Sequence, residues 1–164
     1  MTRPATLKCV LCGREFEPAA GRYVCDQCGL DGTLDVLYDL DEAKKNISRE
    51  SLAASRDLTL WRYRAMLPVE DEKHIPPLAV GWTPLYKSAK LAAEYGVKEL
   101  LIKDDGRNPT ASLKDRASAV GVAKALDFDQ KIVCCASTGN AASSLAGFAA
   151  VTGLESYIFV PEHA

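Results

Sequence analysis

The sequence lacks several features that would assign it to a common class of protein. No apolar run among its 164 residues is long enough to span a bilayer, and residues 1–4 do not open a signal peptide. Its 20 basic and 22 acidic side chains nearly balance, so a formal charge of -2 gives no attraction for nucleic acid or an anionic membrane. No GxGxxG pattern is present, which disfavours a dinucleotide site. The composition predicts a soluble, cytoplasmic protein with a buried core.

Four of the six cysteines have a spacing that is typical of a metal site. Cys9 and Cys12 form one CxxC pair, Cys25 and Cys28 form a second, and a glycine follows each pair. Four thiolates in this pattern suit a tetrahedral zinc ion, whereas the alternative of disulfides is disfavoured in a reducing cytoplasm. We therefore expect residues 1–38 to form a zinc ribbon, with strands at 23–24 and 34–38, whose metal supplies folding energy.

Residues 39–80 are polar and mixed, and we predict that they form a connector. Residues 58–64 combine aromatic and basic side chains within it. Packing of this patch inside the connector is favoured over nucleic-acid binding, because the overall charge is acidic.

From residue 81 onward, helical patterns alternate with short apolar runs, which predicts an α/β unit with parallel strands. The predicted strands are 99–103, 132–136 and 156–160, and the predicted helices begin at Ser88, at about Leu113 and at about Asn140. A capping box formed by Ser112 and Asp115 would start the second helix. The remaining cysteines, Cys134 and Cys135, lie in the second strand and are expected to be buried.

The sequence stops directly after the last predicted strand. Because a parallel strand needs a covering element, we expect residues 81–164 to be an incomplete, truncated part of a larger α/β fold.

Two segments at the ends of predicted elements have the chemistry of a site. Residues 137–140, Ser-Thr-Gly-Asn, lead from a strand into a helix N-terminus, where an anion can bind; a simple helix cap is the alternative. Lys114 follows a turn of Asn, Pro, Thr and Ser, and a constrained, partly desolvated lysine can attack an aldehyde, although most such lysines are merely solvated. An imine-forming amine together with an anion site favours an amino-acid enzyme that uses pyridoxal phosphate.

The same segments carry a resemblance to a known family. Residues 108–116, Asn-Pro-Thr-Ala-Ser-Leu-Lys-Asp-Arg, closely resemble the N-P-T-G-S-F-K-D-R signature of fold-type II pyridoxal-phosphate enzymes, threonine synthases in particular. Residues 137–140 resemble the S-T-G-N loop of that family, residues 81–85 resemble its G-x-T-P-L hairpin, and residues 61–68 resemble its W-R-Y-x-x-x-L-P segment. An N-terminal zinc ribbon also occurs in some threonine synthases.

The resemblance implies a role for each matching residue. Lys114 would hold pyridoxal 5'-phosphate as an internal aldimine and then transfer protons, and Asn140 would hydrogen-bond the ring hydroxyl of the cofactor. The other implied residues lie on the substrate side, three at the α-carboxylate and three at the phosphate: Ser137, Thr138 and Gly139, and Asn108, Thr110 and Ser112. The implied enzyme is a carbon–oxygen lyase that converts O-phosphohomoserine and water to threonine and phosphate, as a homodimer when full length.

The sequence departs from the signature at two positions beside Lys114. Ala111 replaces the usual glycine, and Leu113 replaces the usual phenylalanine. The glycine-rich phosphate loop and the hydroxyl partner of the pyridine nitrogen, which come later in family members, do not occur in these residues, so we expect the 164 residues alone to be inactive.

Three other functions remain as alternatives. A cysteate synthase and a serine/threonine dehydratase have the same fold, although the zinc ribbon disfavours the dehydratase. A non-catalytic zinc-ribbon binding module is disfavoured because Lys114 is present with its flanking motif.

Overall fold

The computed structural model describes residues 4–163, which divide into two compact units. Unit 1 comprises the chain up to Arg56 together with Trp61–Glu72, and unit 2 comprises Asp57–Leu60 and the chain from Lys73 onward. The segment predicted as a connector, 39–80, is shared between the two units. The predicted domain boundaries at residues 38 and 80 stay predictions.

Unit 1 is built on a four-stranded antiparallel sheet that carries both cysteine pairs. Its strands are β1 Pro4–Cys9, β2 Glu15–Phe16, β3 Val24–Cys25 and β4 Gly29–Tyr38. They lie in the order β2-β1-β4-β3, so the two longest strands are the central pair. The strands predicted at 23–24 and 34–38 correspond to β3 and the second half of β4, and β1 and β2 are additions to the predicted set.

The rest of unit 1 is helical. The helices are α1 Leu40–Asn46, α2 Arg49–Ala54 and the 3-10 helix Leu60–Met66, whose first residue belongs to unit 2. Trp61 is buried, and the Arg62 guanidinium donates a hydrogen bond to the carbonyl of Leu52 on α2. The buried Trp61 and the Arg62 hydrogen bond agree with the predicted packing of the patch, but Leu58 and Tyr63 in the same patch are exposed.

Unit 2 contains two pairs of strands and three helices. In chain order its elements are β5 Leu85–Lys87, α3 Ala89–Glu94, β6 Leu101–Lys103, α4 Lys114–Asp127, β7 Ile132–Ala136, α5 Asn140–Thr152 and β8 Glu155–Phe159. The 3-10 helix Asp105–Arg107 also belongs to unit 2, and the 3-10 helix Glu72–His74 begins on the last residue of unit 1. β7 and β8, which precede and follow α5 in the chain, pair in parallel, as the alternating pattern predicts. None of the helices in the described part of the chain is both long enough and apolar enough to cross a membrane.

The predicted strand at 99–103 does not join the parallel pair in the described residues. It forms β6, which pairs with β5, a strand outside the predicted set. β5 and β6 are antiparallel, with Leu85 opposite Lys103. The Ser88 N–H donates to the carbonyl of Leu100 at 3.0 Å, so the helical connection between the strands starts and ends at the same end of the pair. A connection of that kind makes two strands antiparallel.

The core of unit 2 lies between α4 and α5. Ala119, Val122 and Ala123 on α4 are fully buried, and so are Phe148 and Ala149 on α5. These are members of the two apolar faces that the 3.6-residue period predicts.

The predicted burial of β7 is wrong on one face. Ile132 is 52% exposed and Cys134 is exposed, whereas Val133 and Cys135 are half-buried. Because side chains alternate across a strand, only one face of β7 can lie against α5. The run is apolar on both faces, but only one of them is covered by residues that the structure describes.

Candidate functional site

The turn before α4 is held by the side chain of Asn108. Its Oδ1 accepts a hydrogen bond from the Gly81 N–H at 3.0 Å, and its Nδ2 donates to the carbonyls of Asp105 and Ser112 at 3.0 and 3.1 Å. Asn108 and Ser112 are buried. The Asn108 amide therefore closes the turn and joins it to the segment that leads into β5.

Lys114 is the first residue of α4, one residue later than the start that we predicted. Its backbone N–H donates to the Ser112 hydroxyl at 3.0 Å. Its side chain is exposed, and its amine has no hydrogen-bond or ion-pair partner among residues 4–163. The expected partial desolvation is therefore wrong for the described residues, since none of them covers the lysine. The Lys114 amine is therefore accessible in the described structure.

The predicted capping box is also wrong. The Asp115 carboxylate does not reach back to the Ser112 N–H but accepts the Thr110 N–H at 2.7 Å, the Thr110 hydroxyl, and the Ser144 hydroxyl at 2.6 Å. Asp115 and Ser144 are fully buried. Donors from α5 and from the turn satisfy the carboxylate better than a single backbone N–H would, because a buried charge needs several hydrogen bonds.

The loop 137–140 joins the end of β7 to α5, as predicted. The Ser137 hydroxyl accepts the Gly139 N–H at 3.2 Å, and the next three residues are exposed. No side chain caps α5, and in the described structure neither the side chains of Thr138 and Asn140 nor the N–H groups of Asn140 and Ala141 have a partner. Free donors at a helix N-terminus favour an anionic ligand over the simple cap.

The start of α4, which carries Lys114, lies against the N-terminal half of α5. Ser144, about one turn into α5, donates to Asp115, the second residue of α4, and Gly147, in the next turn of α5, lies beside Thr110. The loop 137–140 leads directly into α5. The fold therefore links the segment that carries the Lys114 amine to the helix that follows the free donors of the loop.

An ion pair between Asp105 and Arg116 stabilises the start of α4. Arg116 Nε and Nη2 donate to the two carboxylate oxygens at 2.8 Å each, and the Thr83 hydroxyl donates to Asp105 at 2.6 Å. The hydrogen bonds from Arg116, with help from Thr83, lower the pKa of Asp105 to about 2. Asp105 is not among the predicted site residues, and its only signal in the sequence is an acidic residue shortly before the turn.

Ala111, where the family signature has glycine, adopts the left-handed conformation with φ of +57°. A side chain in that conformation costs about 1–2 kcal/mol, and glycine avoids this cost while losing more backbone entropy on folding. We expect Ala111→Gly to stabilise the protein by about 0.5–1 kcal/mol, measured as a rise in the thermal unfolding midpoint.

Ala117→Gly is the matched control for this prediction, because Ala117 is an exposed residue one turn inside α4. The same change there should destabilise by about 1 kcal/mol. Equal losses of stability in both variants would contradict the left-handed strain at Ala111.

The two cysteine pairs meet at one point in unit 1. The four sulfur atoms of Cys9, Cys12, Cys25 and Cys28 all lie within 4.8 Å of one another, and those of Cys12 and Cys25 are 3.6 Å apart. Tetrahedral zinc–sulfur bonds of about 2.3 Å place the sulfurs about 3.8 Å apart. None of the four forms a disulfide.

Hydrogen bonds within the cluster shift the pKa values of two of the four thiols in opposite directions. The backbone N–H of Cys12 is the main cause that lowers the pKa of Cys9 to about 7, and the side-chain hydrogen bond with Cys12 raises the pKa of Cys28 to about 12. A divalent cation would displace such protons, because only thiolates bind zinc. The donor set therefore fits zinc.

Known proteins with similar sequences identify the family of this chain. The family model for pyridoxal-phosphate dependent enzymes matches residues 77–164. The chain is 42% identical over 155 residues to the threonine synthase of Methanocaldococcus jannaschii, covering 94% of this chain and 37% of that protein. It is 42% identical over 157 residues to the threonine synthase of Methanosarcina acetivorans, covering 94% and 36%. The chain thus spans little more than a third of the length of these curated relatives.

Proposed function

Because this chain belongs to the family of pyridoxal-phosphate dependent enzymes, we propose that it forms the N-terminal part of a threonine synthase. The proposed reaction converts O-phosphohomoserine and water to threonine and phosphate. The observation that supports it best is the hydrogen bond between Ser144 and Asp115, which links the helix that starts with the free Lys114 amine to the helix that follows the free donors of the loop 137–140.

The cofactor fits the groups that this structure leaves available. Pyridoxal phosphate, when bound, supplies an electron sink that makes protons next to the substrate amine acidic. Lys114 would carry it and move protons at Cα and Cβ of the substrate, since its amine is accessible. The free amide of Asn140 would donate to the ring hydroxyl.

The loop residues Ser137, Thr138 and Gly139 would hold the α-carboxylate of the substrate. The support is electrostatic, because the N-terminus of α5 carries partial positive charge and free N–H groups. Phosphate would then leave Cγ, and water would add at Cβ.

The residues of the turn before Lys114 form hydrogen bonds within the protein. The side chains of Asn108, Thr110 and Ser112 already have hydrogen-bond partners within the chain. They stabilise the turn that precedes Lys114, and their contact with the substrate phosphate stays a prediction.

The proposal is tested with the intact protein loaded with pyridoxal phosphate. O-phosphohomoserine should release equal amounts of phosphate and threonine, measured by phosphate assay and amino-acid chromatography. Phosphoserine with sulfite tests the cysteate synthase alternative, and release of a 2-oxo acid from threonine or serine tests the dehydratase. Faster turnover of either alternative would overturn the proposal. Residues 1–164 alone should give no turnover.

Four thiolates within reach of one ion support zinc as a second ligand, held by Cys9, Cys12, Cys25 and Cys28. A small-molecule amino-acid substrate, a homodimer and a cytoplasmic location complete the proposal.

A further inference from the structure

Asp115 is fully buried, and neither the proposed reaction nor the family comparison gives it a role. It follows Lys114 directly in the sequence. A buried charge is retained only where several hydrogen bonds satisfy it, so its partners indicate its purpose.

The partners of Asp115 come from two different parts of unit 2. Thr110, in the turn before α4, gives its N–H at 2.7 Å and its hydroxyl. Ser144 on α5, which is 29 positions later in the chain, gives its hydroxyl at 2.6 Å. One carboxylate therefore ties together the turn, the first turn of α4 and the first half of α5.

Ser118 keeps Ser144 oriented. The two hydroxyl oxygens are 2.8 Å apart, and Ser144 has a single hydroxyl proton. Because that proton points to the carboxylate, Ser118 donates its own proton to Ser144. The direction of each hydrogen bond in this network is set by the charge of Asp115.

The backbone of α5 is closely packed against Thr110, one of the donors in this network. A Cβ atom at Gly147 on α5 would lie 2.9 Å from Cγ2 of Thr110, a separation that real Cβ atoms do not show. Rotation of the Thr110 side chain away from α5 would break the hydrogen bond from its hydroxyl to Asp115. The backbone of α5 therefore lies at a closely defined distance from the turn.

We propose that Asp115 is a positioning residue that sets the distance between the Lys114 amine and the donors of the loop 137–140. The inference rests on the proposed function, because it assigns these two groups to one reaction. Misplacement of a reacting group by about 1 Å can cost about a hundredfold in rate. A rigid link between the start of α4 and the N-terminal half of α5 is therefore a functional reason for keeping a buried carboxylate at this position.

Asp115→Asn tests the proposal, because it keeps the shape of the side chain but removes the charge and turns an NH2 group towards a donor. We expect kcat of the intact, cofactor-loaded protein to fall about tenfold to a hundredfold, with KM changed by less than about threefold. In the cofactor-free protein, amide hydrogen exchange of residues 137–143 should become faster. Val122→Ala is the control, since Val122 is fully buried on the same helix and its loss affects stability alone.

Ser144→Ala provides the same test if Asp115→Asn does not fold, because it removes one donor and leaves the Thr110 bonds. The proposal is overturned if either variant matches Val122→Ala in exchange at residues 137–143, or matches it in kcat once the folded fraction is equal. A wild-type protein that makes no threonine would sink the proposed function separately. The positioning role would then be decided by the exchange data and by the rate at which pyridoxal phosphate labels Lys114.

Discussion

Replacing Lys114 by alanine should abolish threonine formation by the intact protein. Loss of proton transfer alone lowers kcat by about 10²–10⁴-fold, and loss of the covalent attachment of the cofactor adds to this effect. The amine is the group to remove because it is exposed and has no partner among the described residues, so nothing else in the structure depends on it. Stability should therefore change little.

The measurement combines steady-state kinetics with chemical trapping. Borohydride reduction of the wild-type protein with pyridoxal phosphate should fix the pyridoxyl group on the peptide that contains Lys114, as found by mass mapping. Lys90→Ala is the matched control, because Lys90 is an exposed lysine on α3 and should keep full activity and labelling. An unchanged absorbance band and unchanged labelling in Lys114→Ala would refute the assignment.

Removing the metal from the cysteine cluster should unfold the sheet of unit 1. Structural zinc contributes about 10–16 kcal/mol of apparent binding free energy in small zinc domains, which is more than a short four-stranded sheet can gain from its own burial. Metal analysis should find one zinc per chain in a metal-replete preparation. A strong chelator should then remove the β-sheet signal of unit 1, observed as rapid amide exchange in β1 and β4.

Two variants in unit 1 separate the metal site from the fold in general. Gly32→Ala should prevent metal binding, because a Cβ atom there would lie 2.6 and 2.8 Å from the Cβ atoms of Cys28 and Cys25. Gly21→Ala meets no atom within 4 Å, so it should cost only the strain of its left-handed backbone, about 1–2 kcal/mol, and should keep its zinc. Retention of zinc by Gly32→Ala, or a chelated sheet that stays protected, would contradict four-cysteine ligation.

The local elements could be predicted because each depends on neighbours in the chain. Gly153 ends α5 with φ of +73°, and Ser88 caps α3 through the N–H of Leu91, both as their residue types indicate. The turns after the two cysteine pairs also follow from sequence, since Gly13 and Gly29 have φ of +73° and +62°. Signals of this kind lie within four residues of the position that they predict.

The errors have a common physical origin in contacts between distant residues. The predicted capping box is absent because the Asp115 carboxylate accepts a hydrogen bond from Ser144 instead. No pattern near Asp115 in the sequence indicates a partner 29 positions away. The apolar run of β7 predicts burial on both faces, but the presence of a covering element on each face is not a property of the run. Cys134 is exposed because it lies on the face of β7 that no described residue covers.

The sequence by itself determined which chemical groups this protein offers: the four thiols, the amine at a helix start and the Ser-Thr-Gly-Asn loop before a helix, because residue type and spacing define those groups. Only the tertiary structure decided which groups remain available. It binds the side chains of Asn108, Thr110 and Ser112 within the fold, and it leaves Lys114, Thr138 and Asn140 without a partner among residues 4–163. The physical reason is that a buried polar group takes the nearest partner that packing brings to it, and packing joins residues that are far apart in the chain.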